Sequence, residues 1–270
     1  MISLSSEPGT LGRSFGVHRA LDTVGAFLGP LVAMGVLALS VGSYTSVFFT
    51  SFCIAALAVL LLVLFVRDHP VSVARAGVSL RAAVNLLRSQ DFRRVTIWAA
   101  LLGLVTVGDS FIYLLLQRRW DVAATYFPLL PLGTAGVYLL LAVPLGRLAD
   151  RIGRWPVFLG GHAALCLALV LICGPQAGFW LAVVALGLHG VFYAATDGVL
   201  MAAAGPLVPS GLRATGLAVV QTGQAAARML SSVLFGLAWT LWDLRPAVFV
   251  AAGCLATVAV AAAIVKPVRP

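Results

Sequence analysis

The sequence predicts an all-α, polytopic membrane protein with about eight transmembrane helices. Three observations predict it. The chain is 61% hydrophobic and 10% charged, with a mean hydropathy of +1.04, too apolar for a soluble globular domain. Its apolar residues fall into runs matching the roughly 20 residues that cross a bilayer core. Its arginines collect in the breaks between those runs, where topology determinants sit.

The first run, 14–39, opens on the stretch Arg13 to Pro30, which carries His18, Arg19 and Asp22. A charge at a helix centre costs roughly 2.5–3.5 kcal/mol on insertion scales, so such residues are usually functional or paired. Asp22 lies one helical turn from both His18 and Arg19, and a local salt bridge satisfies it. Asp22, Gly25 and Gly29 share a face and offer a small, close-packing surface, while Pro30 kinks the helix. The second run, 45–66, follows a turn at Gly42-Ser43. Residues 67–92 form a linker carrying Arg67, Arg75, Arg81 and Arg88, with a weak amphipathic pattern through Leu80, Val84 and Leu87 that predicts a surface helix. Six further runs cover 93–116, 122–146, 156–174, 178–204, 213–240 and 246–265.

Lys and Arg gather on one side of this arrangement, at Arg13, the linker, Arg93, Arg94, Arg147, Arg151, Arg154, Arg213, Lys266 and Arg269. The other side holds only Arg118, Arg119 and Arg245. The positive-inside rule puts both termini and the linker in the cytoplasm. Arg13-x-x-Gly16 recurs as Arg213-x-x-Gly216, each opening a small-residue-rich helix followed by one last helix. If the two are equivalent members of two repeats, each repeat has six helices. Residues 1–66 are then the last two helices of an N-terminal half, 67–92 the linker, and 93–270 a complete C-terminal six-helix half. The opening MISLSSEPGT lacks the basic and apolar regions of a signal peptide.

Several function classes are excluded. The net charge of +9 is not a nucleic-acid footprint, because no basic run is interleaved with aromatics. Cys53, Cys166, Cys173 and Cys254 lie in apolar runs without CxxC or metal-ligand spacing, and are expected as small buried hydrophobes. No hydrolase, metalloprotease or nucleotide-binding motif is present, so neither an enzyme nor a cofactor is expected.

Polar stripes mark the candidate pathway. Thr106, Asp109, Tyr113 and Gln117 fall on one face of the third predicted span; His189, Tyr193, Thr196 and Asp197 form a second stripe; Gln221, Gln224 and Arg228 form a third. In lipid such stripes must face protein or water. At 1.5 Å per residue, Asp109 and Arg228 each lie about 22 Å from the cytoplasmic end of their helices, which predicts an ion pair near the midplane. That pair is either structural or a proton- and substrate-handling pair. His189 suits a proton sensor or a hydrogen-bonded core residue. Asp197, about 28 Å along its helix, falls near the cytoplasmic end, where an Arg of the 146–154 loop or Arg213 is its expected partner in a gate. Asp150 is expected to cap or pair at the cytoplasmic helix ends.

The loop Gly146-Arg147-Leu148-Ala149-Asp150-Arg151-Ile152-Gly153-Arg154 resembles the G-x-L-A-D-R-x-G-R loop of the major facilitator superfamily, in the copy between its eighth and ninth helices. The family's second Arg is replaced by Trp155. Gly25-x-x-x-Gly29-Pro30 is similar to the fifth-helix motif of the family's proton-coupled exporters, although Ala33 and Met34 stand where a second pair of glycines is usual. The resemblance implies that the chain covers helices five to twelve of a twelve-helix transporter of the cytoplasmic membrane. It implies secondary transport of a small molecule by alternating access, with proton-coupled efflux the expected mode. A central pathway would be lined by the third and sixth spans, with Gly146, Asp150, Arg151, Gly153, Arg154, Asp197 and Arg213 at a cytoplasmic gate. The expected partners are the bilayer, protons and the substrate. The alternative is a partial chain without independent transport, or a membrane partner subunit, whose missing helices are supplied by another chain.

Overall fold

The computed structural model describes residues 11–40, 43–65, 80–122, 129–174 and 178–265. Among them are ten α-helices, two short 3-10 turns and no strand. We number the helices α1 (Leu11–Leu39), α2 (Tyr44–Phe65), α3 (Leu80–Leu86), α4 (Gln90–Val105), α5 (Asp109–Trp120), α6 (Leu129–Ile152), α7 (Arg154–Cys173), α8 (Trp180–Ala204), α9 (Arg213–Trp242) and α10 (Leu244–Val265). The protein is thus all-α and polytopic: 7 helical spans among the described residues are long and apolar enough to cross a membrane, with α4 and α5 together forming one of them. The predicted count of about eight differs by α1, which at 29 residues is about 43 Å long and reaches across a bilayer by length.

The spans α4 to α10 close around one apolar core whose largest fully buried side chains include Phe92, Phe158, Phe192, Leu102 and Ile112. Helix α8 is central, packed on α6 and α7 and touching α4 and α9, while α9 lies along α4 and α10 against α7. Close approach of α8 to α6 depends on Gly190, where a Cβ would fall 2.6 Å from Val137 Cβ and 2.9 Å from the Thr134 carbonyl. Trp155, where the loop motif departs from its pattern, is buried and donates its indole N–H to the Ala262 carbonyl at 3.1 Å, tying α7 to α10.

Helix α1 docks on α6 and α8 through a second, smaller cluster of Ala20, Tyr138, Ala142 and Ala194. Gly16 makes the closest contact, with its missing Cβ 2.6 Å from the Ala142 carbonyl oxygen. The face predicted to make this contact is a different one. Gly25 and Gly29 are exposed with nothing within 4 Å, and Asp22 is 55% exposed and paired with His18 at 3.3 Å. Helical geometry explains the difference: Asp22, Gly25 and Gly29 lie about 140–200° around the axis from Ala20. Pro30 lies in α1, and its side chain, like that of Arg19, is outside the described set. Helix α2 touches α1, and no residue of its apolar window is buried, so most of its surface is available to lipid or to other helices.

The predicted linker helix is present as α3, with Leu86 rather than Val84 turned inward; Arg67 and Arg75 fall outside the described residues. The cysteines are not uniformly buried: Cys173 is, but Cys53 and Cys254 are exposed on outer helix faces, where a small apolar side chain suits lipid as well as a core.

Candidate functional site

The third predicted span is not one helix. Helix α4 stops at Val105, Thr106 turns extended (φ −83°, ψ 121°), Gly108 is also extended (φ −66°, ψ 145°), and α5 starts at Asp109. A break inside a membrane span exposes carbonyls that lipid cannot satisfy. Here Ser231 of α9 donates to the Thr106 carbonyl at 2.7 Å, and the Thr106 hydroxyl donates to the Leu102 carbonyl at 2.7 Å, both buried. Gly108 is required for the packing, since a Cβ there would lie 2.6 Å from Ser232 Oγ. The polar stripe is therefore cut after Thr106, and Asp109 becomes the first residue of a half-helix. A carboxylate at that position is stabilised by the positive end of the helix dipole.

Asp109, His189 and Tyr193 converge. The Tyr193 hydroxyl donates to Asp109 Oδ2, and His189 Nε2 lies 3.4 Å from Asp109 Oδ1. That second contact is close enough for an ion pair but is not aligned as a hydrogen bond. The other imidazole nitrogen, Nδ1, faces the Thr134 hydroxyl at 3.3 Å. His189 is fully buried, edge-on to Tyr113 at 5.5 Å and to Tyr193 at 5.3 Å. Three helices, α5, α6 and α8, thus hold a carboxylate, an imidazole and a phenol in contact. Thr196 points away, donating to the Phe192 carbonyl at 2.7 Å.

The predicted Asp109–Arg228 ion pair is not formed among the described residues. Tyr193 and His189 occupy the carboxylate oxygens, while the Arg228 guanidinium sits 5.7 Å from the Phe192 ring centre and 5.8 Å from that of Tyr193. Such stacking is worth roughly 0.5–2 kcal/mol. The two charges still act on each other through space, and both line a cleft of about 490 Å³ whose wall includes Thr106, Gly108, Tyr193 and Ser232. Of the third stripe, only Arg228 reaches it: Gln224 packs against Gly103, 3.2 Å from the position of a Cβ there, and Gln221 is exposed. Tyr113 contributes through His189 rather than by lining the cleft. Ser231 and Ser232 carried no sequence signal, because serines on a small-residue helix look like packing residues.

At the Arg-rich end, Asp150 Oδ2 accepts the backbone N–H of Arg13 at 2.9 Å, and its Oδ1 lies 3.5 Å from the Arg154 guanidinium. The carboxylate of the loop motif therefore caps the N-terminus of α1, 137 residues away in sequence. Gly153 has φ +102°, a conformation open to glycine at little cost, and makes the corner between α6 and α7. Gly146 is buried and Arg151 exposed. Asp197 accepts from the Tyr138 hydroxyl at 3.4 Å. Arg213 opens α9, and Gly216, one turn on, has its missing Cβ 2.6 Å from Val208 Cγ2. Gly16 thus meets the backbone of α6, whereas Gly216 meets a side chain of the segment just before α9.

Bilayer-length helices, a span broken beside a polar cleft, and ionisable groups gathered at the break define an integral membrane protein built like a transporter. The chain belongs to the Major Facilitator Superfamily, whose family model matches residues 110–270. It is similar to an uncharacterized MFS-type transporter of Methanocaldococcus jannaschii, 23% identical over 244 residues that cover 87% of this chain and 60% of that protein. The matched stretch spans 60% of the length of that relative.

Proposed function

We propose that this chain serves secondary active transport of a small molecule by alternating access, coupled to protons, with the cleft beside the α4–α5 break as the central site. The observation that carries this reading is the Asp109–His189–Tyr193 cluster. A carboxylate at a half-helix start, in contact with an imidazole and open to the cleft on one side, can take up and release a proton as access changes. Export is the direction implied by the likeness of Gly25 to Pro30 to the fifth-helix motif of proton-coupled exporters. The Asp150 cap on α1 serves as a latch: its bond to Arg13 joins α1 to the end of α6 and must break when those helices separate. The latch would lie at the cytoplasmic face of the cell membrane.

The test is reconstitution into liposomes with a trapped pH indicator. An imposed substrate gradient should drive proton movement, and Asp109→Asn should abolish it. Unaltered coupled flux in Asp109→Asn would sink the proton role. A second reading, transport only with further helices supplied by another chain, is supported by the partial span of the relative. It predicts flux only when segments resembling the relative's remaining length are co-expressed.

A further inference from the structure

We infer that the cleft selects an organic anion, whose carboxylate, phosphate or sulfonate group binds Arg228; this rests on the cleft being the transport site. The argument is an account of the cleft's polar groups. Asp109 Oδ2 accepts from the Tyr193 hydroxyl, and Oδ1 faces His189 Nε2 at 3.4 Å without a hydrogen bond. The Thr106 carbonyl accepts from Ser231 and the Ser232 hydroxyl donates to the Arg228 carbonyl at 3.0 Å. Asp109 Oδ2 and the Thr106 and Arg228 carbonyls are thus committed to donors of the protein.

The donors are not. Arg228 Nε is buried without a hydrogen-bond partner, and no acceptor among the described residues takes the guanidinium, which is held only by the faces of Phe192 and Tyr193. The cation reaches the cleft wall beside the first turn of α5. In that turn the Gly108 carbonyl takes the N–H groups of Phe111 and Ile112, which leaves those of Asp109 and Ser110 without an intrahelical partner. A fixed, planar cation next to unfilled backbone donors matches a ligand that brings acceptor oxygens and negative charge. A cationic ligand would meet the charge of Arg228 directly in the cleft wall. Phe111 and Met229 in the same wall suit an apolar or aromatic body behind the anionic head. Outward movement of such an anion is favoured by an inside-negative membrane potential, in agreement with export.

The experiment is binding by the purified full chain in lipid nanodiscs, read by tryptophan fluorescence, since the Trp239 ring packs at a tilt beside the cleft residue Phe111, 5.8 Å between centres. The probes are benzoate and phenylphosphate, with the neutral isostere benzamide and the cation benzylamine as controls. Benzoate or phenylphosphate should bind at least about tenfold more tightly than both controls. That preference should be lost in Arg228→Gln and partly kept in Arg228→Lys, with helix content by circular dichroism confirming that both variants fold. Equal binding of benzamide or benzylamine, no binding of either anion, or anion binding unchanged in Arg228→Gln each overturns the anion assignment. None of these outcomes bears on coupled proton flux, so the transport reading stands or falls separately.

Discussion

Replacing Asp150 with Ala should loosen the start of α1 without disturbing the core. The first-turn amides of a helix have no intrahelical acceptor, so the Arg13 N–H depends on Asp150 Oδ2 at 2.9 Å. Loss of a side-chain cap costs about 0.5–2 kcal/mol. The carboxylate's interaction with the helix dipole adds about 0.3–1 kcal/mol. The Arg154 contact at 3.5 Å is left out of this sum, because Arg154 remains in either variant. A total near 1–2 kcal/mol corresponds to about 5–30-fold faster opening of that turn. Hydrogen–deuterium exchange followed by mass spectrometry on a peptide spanning residues 11–16 reads it directly. Asp150→Asn should show a smaller increase, since it keeps an acceptor oxygen and loses the charge. Exchange in Asp150→Ala indistinguishable from the parent would refute the cap, and with it the latch that joins α1 to the loop.

Three further outcomes follow from the packing. Ser231→Ala should lower thermal stability by about 1–3 kcal/mol, the cost of an unsatisfied buried carbonyl at Thr106, and Ser231→Thr, which keeps the hydroxyl, should lose less in a detergent melting assay. Gly108→Ala should destabilise through the 2.6 Å contact with Ser232 Oγ, at about 1–3 kcal/mol, and a double change with Ser232→Gly should recover most of the loss. Gly16→Val should displace α1 from α6, since even a Cβ would stand 2.6 Å from the Ala142 carbonyl, whereas Gly25→Ala, with nothing within 4 Å, should be neutral; the same melting assay separates the two.

The chain by itself determined that the fold is a set of membrane helices and which residues are polar within them. Bilayer length and hydropathy are local properties, and lipid gives the backbone no choice but the helix. The helical period also brought His189 and Tyr193 onto one face, because residues one turn apart must share a face. The loop from Gly146 to Arg154 was legible for a similar reason, since a corner with positive φ needs Gly153 and its carboxylate lies beside a helix end.

Only the tertiary structure decided the rest. Thr106 to Gly108 reads as an ordinary stretch of a long helix, and the break is set by Ser231 and Ser232, 125 and 124 positions on from Thr106 and Gly108, whose hydroxyls satisfy and fill it. The depth argument put Asp109 and Arg228 at one level correctly enough for them to share a cleft. It could not see that Tyr193 and His189 would claim the carboxylate and leave the guanidinium on two aromatic faces. Likewise Gly16, rather than Gly25 and Gly29, meets α6, because spacing says which residues share a face and never which neighbour that face will meet. Hydropathy and period are fixed within one turn of helix; partners are fixed by helices distant in sequence competing for the same atoms.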